Sequence, residues 1–172
     1  APVVTCAGRS FPVETVYCGR RQARSREADV VAAILQAAAE GPGGILVFLP
    51  GAGEIRRVAR RLESVKPGPQ WRITPLYGNL TREQQDKAIA PAPAGQRKIV
   101  LATAIAETSL TIEGIRVVVD SGQQRMPRFD PVSGMTRLVT LPVSRASADQ
   151  RRGRAGRLGP GICYRLWRQA QH

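Results

Sequence analysis

Gly44-Ile45-Leu46-Val47-Phe48-Leu49-Pro50-Gly51 is the stretch that decides the fold. Its five apolar residues run without a polar interruption between a glycine and a Pro-Gly pair. A strand with one wet face alternates apolar and polar side chains, so an unbroken run of this length fits a strand covered on both faces. Strands of that kind belong to parallel sheets, whose neighbours are joined by helical crossovers.

The flanking sequence supplies the crossovers. Residues 27–40 carry Val30, Val31, Ile34, Leu35 and Ala38 at helical spacing, and Gly41-Pro42 stops the helix. Residues 53–64 put Ile55, Val58, Ala59 and Leu62 on one helical face and Arg56, Arg57, Arg60 and Arg61 on the other. Further strands are expected at 11–17, 71–77, 98–102 and 115–119, the last ending in Asp120. Thr81 is a good N-cap for a helix running to about Ile89, and a polar turn follows Ala102. This alternation predicts an α/β fold with a mainly parallel sheet and helices on both faces. Ligands in such sheets sit at the carboxyl ends of the strands, which singles out the loops after Leu49, Tyr77, Ala102 and Val119.

The end of the chain changes character. Phe129 to Met135 reads as a turn between segments 122–128 and 136–143, predicting a β-hairpin that protrudes from the sheet near residues 125–143. A short helix is expected over 147–152, opening at Ser144 or Ser147, and a closing strand over 161–167. The 172 residues are expected to form one domain, with 42% hydrophobic residues to build its core. No apolar run reaches the ~18 residues of a membrane span, and the first ten residues lack the pattern of a signal peptide. Cys6, Cys18 and Cys163 form no CxxC pair and His172 is the only histidine, so no metal site is expected. Reduced thiols in the cytoplasm are the expectation.

The net charge is +13, and 23 of the 26 basic residues are arginine. From Arg125 onward, ten arginines face only Asp130 and Asp149, a surplus of eight. Such a stretch predicts a basic surface for a polyanion, most often nucleic acid. Within it lies Gln150-Arg151-Arg152-Gly153-Arg154-Ala155-Gly156-Arg157, whose small residues would let a backbone approach a ligand closely. Arg154 and Arg157, three apart, would project from one side of a helical turn, as a clamp on phosphates needs. By itself the cluster serves equally as arginine fingers or as a nucleic-acid patch. A second segment, Thr103 to Gly114, follows a strand directly and carries hydroxyls at Thr103, Thr108, Ser109 and Thr111. Those hydroxyls could donate to phosphates or sugars.

Together these segments resemble the second RecA-like domain of DEAH-box superfamily 2 helicases. QRRGRAGR is similar to motif VI, TAIAETSLTIEGI to motif V, and Val118 to Gly122 to motif Va. Leu46 to Gly51 and Pro75 to Leu80 stand where motifs IV and IVa belong. The motifs occur in the family's order from about Phe11 to Trp167, and the form of motif IV and of the hairpin is most similar to a bacterial member. The resemblance implies catalytic roles for Gln150, Arg154 and Arg157 facing the γ-phosphate of ATP, the arginines as fingers. It implies that Thr111, Glu113 and Ser109 lie on the nucleotide side. It also implies that Thr103 and Gly78 touch the nucleic-acid backbone, with Thr108, Arg125 and Arg128 beside the strand path. Arg151 and Arg152 are expected at interdomain or surface contacts.

Two departures stand out: Ala104 where many relatives have Asn, and Ile89 where eukaryotic relatives stack a Phe on adenine. The family's first RecA-like half carries GxxxxGK[ST] and DEAH, and neither occurs here. The chain therefore reads as half of an ATP site. It would work with that first domain, with ATP and Mg²⁺ held mainly there, on single-stranded nucleic acid, RNA in preference to DNA. By itself it is expected to be monomeric, without a membrane, and without ATPase activity. The other readings are a stand-alone basic nucleic-acid-binding module, which would not need the spacing of Gln150, Arg154 and Arg157, and a basic domain that recruits a protein.

Overall fold

A computed structural model of the chain describes residues 10–19, 25–65, 67–108 and 110–171. In chain order the elements are β1 (Val13–Tyr17), α1 (Arg26–Glu40), β2 (Gly44–Phe48), α2 (Ala52–Val65), β3 (Trp71–Leu76), α3 (Arg82–Ile89), β4 (Arg97–Ala102), α4 (Ile105–Thr108), β5 (Ile115–Asp120), β6 (Gln123–Asp130), β7 (Met135–Pro142), α5 (Arg145–Gly153) and β8 (Gly161–Arg165). Six strands form one parallel sheet in the order β1-β8-β5-β2-β4-β3, while β6 and β7 form a separate antiparallel pair. This is the expected α/β architecture of a RecA-like domain.

β2 lies near the middle of the sheet, hydrogen-bonded to β4 on one side and β5 on the other, and every residue of it is buried. The period of two then divides its side chains between the layers. Ile45, Val47 and Leu49 pack with Ile34, Ile55, Val58 and Leu62 of α1 and α2. Leu46 and Phe48 pack on the opposite face with Ala88 of α3, Ala106 of α4 and Ala155. The second layer is built from small side chains, so α4 and the segment around Ala155 lie close against the sheet.

The helix starts follow from capping chemistry. Ser25 Oγ accepts from Ala28 N at the start of α1, Thr81 and Gln84 form a reciprocal capping box at α3, and Ser144 Oγ accepts from Ser147 N at α5. The outward arginines of α2 are exposed as expected, and Arg57 pairs with Glu27 at 2.9 Å. At the other end of α3, the buried ammonium of Lys98 donates to the carbonyls of Ala88, Ile89 and Ala90 at 3.1, 3.3 and 2.6 Å. It caps the last turn, and burial pulls it down to about 8.

Two local features differ from the sequence expectation. The polar turn after Ala102 contains a single helical turn, α4, too short to show a periodicity. Arg154–Gly156 form a 3-10 turn that continues α5. Cys18 and Cys163 are free thiols, and burial pushes Cys163 up to about 12, which leaves it unreactive; Cys6 and His172 lie outside the described residues. Among the described residues, no helix is long and apolar enough to cross a membrane.

Candidate functional site

β4 ends at Ala102 and delivers the chain into α4, at the carboxyl edge of the sheet where β2 is flanked by β4 and β5. α5 reaches that edge where Arg151 meets Asp120, and its C-terminal end and 3-10 turn run on across the sheet face to the amino end of β1, where the Gly156 carbonyl accepts from Phe11 N. Glu107, Thr108, Gln150, Gly153, Arg154 and Arg157 together line a shallow cleft of about 360 Å³. Thr111 joins from the far side of the loop, its Oγ1 3.2 Å from Arg157 Nη1. Segments some forty residues apart in sequence are thus brought onto one face.

The two candidate finger arginines sit differently. Arg154 is nearly buried. Its Nε donates to the Glu107 carbonyl at 2.7 Å, its Nη1 to the Leu110 carbonyl at 2.9 Å, and its Nη2 again to Glu107. Burial, and next the neighbouring Arg157 charge, pull its pKa below the usual arginine value. Three of its five N–H donors hold α4 and the loop after it, and two have no partner among the described residues. Arg157 is exposed, and among the described residues it bonds Thr111 alone. Gln150 is exposed as well, one helical position before the buried Arg151.

The small residues between these arginines have two separate reasons. A Cβ on Gly156 would stand 2.6 Å from the Phe11 carbonyl oxygen and 2.8 Å from Val13 Cγ2, so this glycine serves contact with β1. A Cβ on Gly153 would meet nothing, and that is the glycine that lines the cleft. The expectation that small residues admit a ligand therefore fits Gly153 and not Gly156.

Arg151 is not the interdomain or surface contact expected of it, and Arg152 is only partly exposed. Arg151 is fully buried, donating from Nε to Glu107 Oε1 at 2.7 Å and from Nη1 to Asp120 Oδ1 at 2.8 Å. Its guanidinium also lies 4.9 Å over the Phe48 ring. Arg152 is half-buried and bonds Thr15 Oγ1 at 2.6 Å and the Val13 carbonyl. The physical reason is Asp120. An apolar strand that ends in a carboxylate at the sheet's buried edge needs a cation, and α5 supplies it. Burial pushes the Asp120 carboxyl up, while Arg151 and the Gly122 N–H pull it back down. Glu107 and Asp120 had a signal in the sequence, since both are single acids inside otherwise apolar or hydroxyl-rich stretches.

The residues expected along nucleic acid divide into two groups. Thr103 N donates to the Leu76 carbonyl at 3.2 Å, which sets Thr103 beside the end of β3, two residues before Gly78. Gly78 is exposed and a Cβ there would meet nothing. Thr108 is exposed on the cleft. On the hairpin, Arg128 is exposed and sits directly across from Arg137, whereas Arg125 is drawn to Glu54 at 2.7 Å. Glu113 does not line the cleft. Its N–H donates to the Ile89 carbonyl, and its charge raises the pKa of Lys98. Ser109 lies outside the described residues. Among the described residues no cluster of three metal-binding side chains occurs.

The fold and these motifs have counterparts in known proteins. The helicase conserved C-terminal domain family matches residues 27–159. The chain is 54% identical over 166 residues to the ATP-dependent RNA helicase HrpB of Escherichia coli, covering 96% of this chain and 20% of that protein. It is 46% identical to the pre-mRNA-splicing factor ATP-dependent RNA helicase prp22 of Schizosaccharomyces pombe, covering 99% of this chain and 15% of the relative. A crystal structure of the E. coli DExH-box NTPase HrpB superposes with a TM-score of 0.90 at 52% identity, over 95% of this chain and 20% of the other. The chain thus spans about a fifth or less of the length of these relatives. It belongs to the helicase conserved C-terminal domain family, as a second RecA-like domain of the DEAH-box type.

Proposed function

We propose that this chain is the second motor domain of an ATP-dependent RNA helicase, closing on ATP held mainly by a first RecA-like domain and gripping a single RNA strand. The observation that carries this reading is the cleft where Gln150, Arg154 and Arg157 meet Thr108 and Thr111. Its chemistry suits a phosphate chain: an exposed guanidinium at Arg157, two unbonded N–H donors on Arg154, and hydroxyls within reach. ATP with Mg²⁺, when bound, supplies the phosphoryl group and the counter-charge that the first domain manages.

The roles of this chain's residues follow from how each is held. Arg157 is the finger, since its fork is free to face developing charge on the γ-phosphate. Arg154 is a second finger with a further task, because it also fixes the loop that carries Thr108 and Thr111. Gln150 orients at the cleft's edge. Thr103 and Gly78, at adjacent strand ends, contact the RNA backbone together with Thr108, and Arg128 extends that path along the hairpin. Such contacts are indifferent to base identity, so affinity should fall steeply with salt and depend little on sequence.

RNA-stimulated ATP hydrolysis by the full-length protein tests the reading. Arg157→Ala should lower turnover by on the order of a thousandfold while RNA affinity is mostly kept. Unchanged turnover would overturn it and favour a nucleic-acid grip without a motor. The 172-residue chain by itself should not hydrolyse ATP.

A further inference from the structure

The hairpin is tied to the sheet at its root. Gly122 N donates to Asp120 Oδ1 at 2.9 Å, and Arg151 Nη1 reaches the Gln123 carbonyl at 3.2 Å. One tie lies further out. Arg125 Nη2 donates to Glu54 Oε1 at 2.7 Å, and Glu54 stands in the first turn of α2. Among the described residues, Arg125 is the outermost hairpin residue with an ion pair to the rest of the domain.

This pair differs from an ordinary surface ion pair in three ways. The Glu54 side chain is only 18% exposed, and its Oε2 is buried without a hydrogen-bond partner, so the carboxylate depends on the cations at Oε1. The Arg125 guanidinium also lies 3.4 Å from Thr140 Oγ1 on β7, so it touches both hairpin strands and α2 at once. Gly51 leaves the room, since a Cβ there would sit 2.2 Å from Arg125 Nη1. Gly51 is not among the glycines with positive φ, and what a side chain there would displace is the Arg125 guanidinium itself.

We propose that Glu54 and Arg125 are positioning residues that set the angle of the hairpin to the sheet, with Gly51 as the notch through which Arg125 crosses. The inference rests on the helicase reading above and assigns Arg125 to bracing instead of to RNA contact. Glu54 stands in the first turn of α2, directly after β2, so movement of α2 is carried to the hairpin by this tie. Losing it leaves strand pairing within the hairpin intact and frees its direction.

Two readouts on the full-length protein test the brace. The first is the distance distribution between spin labels on Val132, at the hairpin tip, and Arg60, on the exposed face of α2. Glu54→Gln and Arg125→Gln should each broaden it, and Arg57→Ala, which removes the other cation on Glu54, should not. The second is duplex unwinding per ATP hydrolysed. Glu54→Gln should lower it roughly tenfold with ATPase within about twofold, because displaced elements lose effectiveness without losing chemistry. The double variant should be no worse than either single one. Unchanged distance distributions would overturn the proposal. So would Arg125→Gln weakening RNA binding while Glu54→Gln does nothing, which would make Arg125 an RNA contact. Absence of RNA-stimulated ATPase in the wild type would sink the helicase reading instead, and the distances would still decide the brace.

Discussion

Most arginines around α5 and two of the three on the hairpin come from one basic stretch of sequence and end in opposite places. Around α5, Arg151, Arg154 and Arg165 are buried, at 0, 7 and 3% exposure, and Arg152 is half-buried. Their donors go to Glu107, Asp120, Asp149 and backbone carbonyls of the same domain. On the hairpin, Arg128 and Arg137 are exposed, face each other across the strands, and form no ion pair among the described residues. The contrast shows that a charge surplus read along the chain is not a surface potential. A guanidinium has five donors in a rigid fork, so near irregular backbone it serves as a connector before it serves as a charge. The basic surface expected over residues 125–172 is accordingly narrower than its count of arginines, and the hairpin carries its outermost part.

The largest expected effect lies at Arg157, the exposed arginine of the cleft. If it acts as a finger, retaining the charge is insufficient. Arg157→Lys should stay about a hundredfold or more below wild type in RNA-stimulated turnover, since an ammonium cannot make the bidentate contact. Full rescue by lysine would place Arg157 with the hairpin arginines, as a charge and nothing more.

Next comes Arg151, the most deeply connected of the internal group. Arg151→Met removes the cation from two carboxylates that stay buried, and breaking such a pair costs about 3–5 kcal/mol. Chemical denaturation of the full-length protein should show the loss. Adding Glu107→Gln and Asp120→Asn should recover part of it, because neutral acids no longer need the cation. A loss below about 1 kcal/mol would mean that the triad is solvated and the division between inside and outside is weaker than described.

How far the sequence could be read follows the same division. The sheet was legible because β2 and the inner runs of β4 (Ile99 to Ala102) and β5 (Val117 to Val119) are apolar without interruption, and their burial on both faces is what such composition requires. The start of α3 was legible because Thr81 caps by local chemistry that needs no tertiary partner, whereas for α5 the same chemistry left Ser144 and Ser147 open, and Ser144 is the cap. The meeting of Gln150, Arg154 and Arg157 with Thr111 was legible only through the resemblance, since spacing by itself left fingers and patch equal. What could not be read was pairing between distant residues. Arg151 finds Asp120 across 31 residues and Arg125 finds Glu54 across 71, and nothing local distinguishes those arginines from Arg128. α4 escaped for a different reason, because four residues contain no period.

On the hairpin the effects are smaller and fall on binding. Arg128→Ala and Arg137→Ala should each weaken RNA binding a few-fold, with little dependence on sequence. Each should also flatten the plot of log affinity against log salt by about 0.7, the share of one phosphate on a single strand. A change in affinity without a change in slope would mean packing against bases and not a phosphate contact.

The smallest expected effect has the opposite sign, which makes it the finest test of the contrast. Arg128 and Arg137 are directly opposed on an antiparallel pair, and like charges so placed repel by a few tenths of a kcal/mol. Threonine is a good strand residue and uncharged, so Arg128→Thr should slow amide exchange across β6 and β7 slightly while it weakens RNA binding. Stability and affinity would then move apart at this residue, whereas at Arg151 stability falls outright. Faster exchange in Arg128→Thr would instead show that the arginine stems stabilise the hairpin by packing over Phe129 and Val139, which line the same shallow surface. In that case the hairpin arginines would be structural too, and the basic stretch would be a set of connectors from end to end.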